Sequence, residues 1–204
     1  MPRPALAASL ILAALLSGCG EEREDKLATP EAQTTAASDQ QGIDVDLANL
    51  ARGKDVTRAE DMAAYDEAVR RLIARGSAIE GTVIDSLRRS PDWAVRLGCV
   101  EILQGIGTRL CVEHLITVLD DREPLVALRA TTTLEELTKH REIPQPGQPL
   151  GANGLPPVQP RDPKDLGMEA DARIWAAWHG TNAVAHKAAW KAWWTANGDK
   201  TPVL

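Results

Sequence analysis

The sequence predicts an all-α protein: a short right-handed α-solenoid of stacked helix pairs with a Trp-rich C-terminal helical cap. Three observations predict it. From residue 58 onward, apolar residues recur at helical spacing in one segment after another. The segments copy each other at a fixed shift of 31 residues, the mark of a helical repeat. Five tryptophans, Trp175, Trp178, Trp190, Trp193 and Trp194, gather near the C-terminus of a chain with no phenylalanine and one tyrosine. They are the most suitable group to close an apolar edge left by the last repeat.

In chain order, residues 1–18 (MPRPALAASLILAALLSG) carry one charge, Arg3, and an apolar run from Ala5 to Leu16. That run has signal-peptide length and is too short for a permanent membrane span. Leu16-Ser17-Gly18-Cys19 then resembles the bacterial lipobox, a leucine and two small residues before an invariant cysteine. The resemblance implies that the Cys19 thiol takes a diacylglycerol, that the chain is cut before it, and that the new amino end is acylated. Small residues let a peptidase reach the backbone, and more than one acyl chain makes anchoring stable. The implied location is the bacterial cell envelope. Gly20 stands where an Asp tends to retain lipoproteins at the inner membrane, so in a Gram-negative cell the outer membrane, facing the periplasm, is favoured.

Cleavage before Cys19 would remove Arg3 from the 23 basic residues and none of the 29 acidic ones, taking the formal charge from −6 to −7. A nucleic-acid partner would want a basic face, and none is visible. Anionic lipid headgroups gain nothing from such a surface either. Residues 19–55 are polar and low in aromatics, and read as a disordered tether. A flexible linker of that length reaches roughly 30 Å, enough to lift a domain clear of a membrane.

Residues 56–140 hold the repeats. RAEDMAAYDEAVRRLIARG puts Ala64, Ala68 and Leu72 on one helical face, with Gly76 as a C-cap. SAIEGTVIDSLRRS follows, with Ile79, Val83 and Leu87 on one face and Ser77 as an N-cap. PDWAVRLGCVEILQGIG has Pro91 in a first turn and the stripe Val95, Cys99, Ile102, Leu103 and Ile106. A shift of 31 carries Ala64, Ala68, Leu72 and Gly76 onto Val95, Cys99, Leu103 and Gly107. A second shift reaches Val126, Ala130 and Leu134. Ile79, Ile84 and Leu87 land likewise on Leu110, Leu115 and Val118. No single helix of such a unit can bury its stripe alone, so stacking joins the stripes into one core.

SPDWAVRLGCVEILQGIG and DDREPLVALRATTTLEELT resemble HEAT repeats, of the short kind also found in phycobilisome-lyase-like proteins. Asp92, Val95 and Arg96 supply the best copy of the family's Asp-x-x-x-Val-Arg pattern, while Ala127 stands where Arg is usual and Lys139 where Gly is usual. The resemblance implies a hydrogen-bond ladder between units, carried here by Asp92 and Arg96. It also implies that the second helices of the units line a concave face. Arg70, Arg71, Glu101 and Glu135 are the positions expected to contact a partner there. The lyase relationship would imply an enzyme, but HEAT units alone do not carry that activity.

Residues 141–167 hold seven of the thirteen prolines and read as a loop, neither helix nor central strand. Residues 168–204 form the cap. Trp190, Trp193 and Trp194 stand at i, i+3 and i+4, and Trp175 and Trp178 at i, i+3 on a preceding helix. Burial in the core is the reading adopted. A glycan or peptide groove is the alternative, and a membrane interface is the weakest because Cys19 already provides an anchor. Cys99 reads as a small core residue, although an oxidising compartment would permit a bond to Cys111. His114, His140, His179 and His186 are scattered, without metal-ligand spacing, and surface or capping roles are expected. Glu135-Glu136 and Asp120-Asp121 are neighbours in sequence and do not face each other on a helix. They read as solvated faces or helix ends. No catalytic constellation appears and no cofactor is expected. The sequence therefore points to a membrane-tethered scaffold or adaptor for an unknown protein partner, anchored through Cys19. The alternative is a lipoprotein that binds a small ligand or glycan with exposed tryptophans.

Overall fold

In a computed structural model, residues 30–55, 57–141 and 168–203 are described, with side chains over 39–55, 57–141 and 175–203. Every regular element among them is helical: α1 (Pro30–Asn49), α2 (Ala59–Ala74), α3 (Glu80–Arg89), α4 (Trp93–Ile106), α5 (Arg109–Thr117), α6 (Pro124–Thr138) and α7 (Met168–Asn197). Short 3-10 turns cover Leu50–Lys54, Gly76–Ile79 and Gly198–Lys200. The lipobox residues and the Pro-rich loop from residue 142 lie outside the described residues.

The apolar spacing explains the packing. α2 lies against α4, and α4 against α6; α3 lies against α5, and α5 against α7. The contacts α3–α4 and α5–α6 join the two rows. Equivalent positions of the 31-residue shift meet in one core. Ala68, Cys99 and Ala130 are buried, as are Leu72, Leu103 and Leu134. Ile84 and Leu115, and Leu87 and Val118, follow the same rule. One position breaks it: Ile79 is buried, but its copy Leu110 is 59% exposed.

The caps differ from expectation in three places. Ser77 lies inside the 3-10 turn, and α3 begins at Glu80 without a side-chain cap. Asp92 rather than Pro91 opens α4, its carboxylate accepting the Ala94 N–H at 3.1 Å. Gly76 does end its helix in the left-handed region, at φ 68°, where glycine pays no Cβ penalty. Lys139 ends α6 in the same region, at φ 56°. A residue type unlike glycine thus fills the same backbone role.

Two larger corrections concern the ends. Residues 39–55 are not free tether. Ile43, Leu47 and Leu50 stand at i, i+4 and i+7, so α1 and the turn after it lay an apolar stripe on the core. Leu50 is fully buried against Gly98 of α4. The polar residues between these three (Asp44, Asp46, Asn49) masked the stripe. At the other end, the expected pair of helices is one helix of 30 residues. Gly180 does not interrupt it and is exposed, with open space where a Cβ would stand. A mid-helix glycine costs about 1 kcal/mol relative to alanine, too little to break a helix held by packing along its length.

Candidate functional site

The strongest electrostatic feature joins α4 to the turn before α6. Arg96 Nε and Nη2 donate to the two carboxylate oxygens of Asp121, each at 2.7 Å, and Nη1 donates to the Ser90 carbonyl at 3.2 Å. Both side chains are buried. The bidentate bond to Asp121 holds the guanidinium firmly protonated. Asp121 Oδ1 also accepts the Glu123 N–H at 2.8 Å. The ladder expected of Asp92 and Arg96 therefore exists between neighbouring helix pairs, but its carboxylate is Asp121. Asp92 instead binds Lys54 Nζ at 2.6 Å, tying α4 to the turn that follows α1. Asp121 had read as a helix-end residue in contact with water; its position in a tight turn, one helix pair after Arg96, is the signal that marks it.

The positions expected to meet a partner are mostly engaged within the chain. Glu101 accepts the Tyr65 hydroxyl at 2.8 Å and pairs with Arg129 at 3.0 Å, linking α2, α4 and α6. Burial and the Glu101 carboxylate push the Tyr65 phenol far up. Arg71 pairs with buried Asp46 at 2.7 Å and with Glu67 at 3.5 Å. Glu135 pairs with Arg141 at 3.2 Å, and partial burial raises its carboxyl. Arg70 pairs with Glu67 on its own helix and is exposed. Of the four, Arg70 and Arg71 keep the exposed character expected of a contact residue, and Glu101 and Glu135 are half-buried.

The tryptophans divide into two groups along α7. Trp175 and Trp178 pack with Ala127 of α6, and Trp175 Nε1 donates to the Pro124 carbonyl at 2.8 Å. Ala127 is the position where arginine was expected, and its small side chain lies beneath these rings. Trp190 is fully buried and Trp194 nearly so. Trp193 is partly buried and stacks on His140, with 3.7 Å between ring centres. His179 and His186 are not surface residues: both are buried among the rings of Trp175 and Trp178. α7 runs back along α5, with Lys187 Nζ donating to the Thr117 carbonyl at 2.9 Å and Asp120 at 2.8 Å. At its far end Arg109 of α5 lies 5.0 Å from the centre of the Trp194 ring and bonds Asp199 at 3.1 Å.

Two open hollows meet on the α3–α5 side. The larger, about 880 Å³, is lined by Leu47 of α1, Thr82, Asp85 and Arg88 of α3, and Leu110 and His114 of α5. The smaller, about 610 Å³, shares Leu110 and His114 and continues past Glu113 to Trp194. Leu110 thus projects where the two join. Arg89 on the rim of the first is paired with Asp85 at 3.1 Å.

Cys99 and Cys111 are both buried and free. Burial pushes each thiol up to about 12, with Glu80 adding to the effect on Cys111. Glu80 accepts the backbone N–H and the hydroxyl of Thr108, at 2.8 and 2.9 Å, and so fixes the start of α5. Among the described residues no three His, Cys, Asp or Glu side chains gather as a metal site, and no helix is long and apolar enough to cross a membrane. No family model matches the chain, and no curated protein or solved structure does either.

Proposed function

We propose that this chain is a lipid-anchored, HEAT-like α-solenoid that serves as a protein–protein interaction scaffold or adaptor in the bacterial cell envelope. The two rows α2–α4–α6 and α3–α5, repeated at 31 residues and pinned between units by Arg96 and Asp121, support the solenoid reading. α7, following α5 in its row, supports the role of a tryptophan cap. The lipobox-like Leu16–Cys19 stretch supports the anchor. Leu110 carries the interaction reading. It is the copy of a core position, yet it stands in water at the junction of two hollows. A partner seated there would take Leu110 out of water, a gain of about 25 cal/mol for each Å² of apolar surface buried.

The first test is capture from native envelopes with the tether intact, comparing the parent with Leu110→Asp. Loss of specific partners on substitution, with helical circular dichroism unchanged, supports the groove; identical partners in both samples refute it. Cys19→Ala separates the anchor from the groove. Unchanged membrane association, with no acyl labelling of the parent, would sink the lipoprotein reading. The alternative, a binder of glycans or small ligands through exposed tryptophans, receives little support, because four of the five C-terminal rings are buried. Iodide quenching of most of the folded protein's tryptophan emission would restore it.

A further inference from the structure

We infer that α7 is an acid-releasable helix: protonation of the buried imidazole of His186 detaches it from α5 and α6 and uncovers Trp175, Trp178 and Trp190. The geometry of His186 carries this. The residue is 1% exposed, and its Nε2 accepts the Trp190 Nε1–H at 3.0 Å. That bond requires the lone pair on Nε2 and so places the imidazole hydrogen on Nδ1. Nδ1 is buried and has no hydrogen-bond partner. A proton arriving at Nε2 would meet the indole N–H head-on, ending the bond and leaving a cation in an apolar pocket. The rings of Trp175 and Trp178 stand edge-on to it, with centres 6.2 and 5.4 Å away.

Among the described residues no carboxylate pairs with that imidazole. Among the described side chains of α7 the titratable neighbour is His179, whose charge opposes a second one on His186. From the α5–α6 turn, the Leu119 carbonyl faces His179 Nε2 at 3.1 Å. The charged group there, Asp120, is bound to Lys187 at the rim. From α6, the facing groups are Ala127 and the Pro124 carbonyl, which take Trp175. His140, just past α6, stacks on Trp193 and stands edge-on to Trp190.

Burial first, and His179 second, hold the docked His186 imidazole down at about 4, against an ordinary value of 6.5. A released helix takes up the proton below 6.5, while the docked one resists until about 4. Docking is therefore intact above 6.5 and weakens as pH falls from 6.5 towards 4. Over that window the docking equilibrium shifts on the order of a hundredfold.

Hydrogen exchange on the full chain tests this, with rates corrected for the intrinsic effect of pH. Between pH 7 and pH 4.5, amides of α7 should lose at least tenfold in protection while those of α4 stay protected. Tryptophan emission should move to the red over the same range. In His186→Leu, the pH dependence of α7 protection should fall to threefold or less, whatever its absolute stability at pH 7. The proton resonance of the His186 ring decides the matter in the parent chain if that variant does not fold. It should stay in its neutral position until α7 begins to exchange. A ring that titrates near 6.5 with α7 still protected overturns the proposal. So does simultaneous loss of α4 and α7, or a His186→Leu chain with the parent's pH dependence.

Discussion

Leu50 lies in a stretch whose composition resembles a tether, yet it is fully buried, and an ideal Cβ on Gly98 would stand 2.9 Å from its Cδ2 and 3.0 Å from its Cδ1. Leu50→Ala removes this contact and leaves a cavity beside α4. Core Leu→Ala changes cost about 2–5 kcal/mol, and about 3 kcal/mol corresponds to a fall of about 6–12 °C in Tm for a domain of this size. Gly98→Ala alone has two opposed effects. A mid-helix alanine gains up to about 1 kcal/mol over glycine, whereas the new methyl forces Leu50 aside at about 1–3 kcal/mol. The single variant should therefore be neutral to destabilising. In the Leu50→Ala background the clash is gone and the methyl enters the vacated space, so Gly98→Ala should stabilise by about 1 kcal/mol. Thermal and urea unfolding of the four chains gives the coupling energy. Two results would refute the reasoning: additivity within about 0.5 kcal/mol, or a Leu50→Ala chain that melts within about 1 °C of the parent. Either would mean that residues 39–54 do not pack on the repeats.

Three further outcomes follow from the same contacts. Asp121→Ala leaves the Arg96 guanidinium buried without its partner and should destabilise by about 3–5 kcal/mol, measured by urea unfolding, while Arg96→Met with Asp121→Leu should recover much of the loss. Lys139→Gly relieves a left-handed backbone that a lysine adopts with difficulty. It should raise stability by about 1 kcal/mol in thermal unfolding, and a destabilised variant would contradict the φ of 56°. Cys99 and Cys111, with thiols held at about 12, should resist an aromatic disulfide reagent at pH 8 in the folded protein and react fully in denaturant. The unfolded chain ionises these thiols first, so their contribution to stability should be constant below about pH 8 and fall as pH rises past about 9, by up to about 1.4 kcal/mol per thiol per pH unit.

The core was legible where apolar residues repeat. A shift of 31 residues maps Leu72 onto Leu103 and Leu134, and all three are buried, because a stripe that must be covered in each pair can be covered only by its copy. The same rule fails at Leu110. Its spacing matches Ile79, but whether a position is covered depends on which helix comes next, and that is not local information. Polar contacts were harder to read. Arg96 was identified, but its partner was not, since Asp92 is four residues away on the sequence and Asp121 closes the pair through space. Glu101 looked like a free surface charge, and the Arg71 pair with Asp46 went unseen, because sequence carries no record of the opposite helix. His186 gave no sign of burial, since its neighbours Ala185 and Lys187 are ordinary on an exposed helix; its i+4 relation to Trp190 was the one clue.

The sequence by itself determined that residues 58–138 are mostly helical, that their helices come in copies, and which stripe of α2, α4 and α6 turns inward. Periodicity along a rigid helix is a local property, and local chemistry suffices to set it. Tertiary structure alone decided three other matters. It drew residues 39–55 into the core, because three apolar side chains at helical spacing outweigh a polar background once a groove accepts them. It joined the two tryptophan segments into one helix, because packing along α5 and α6 offsets the weak glycine between them. It enclosed His179 and His186 among the rings, because a side chain on the inner face of α7 is buried by its position, whatever its polarity.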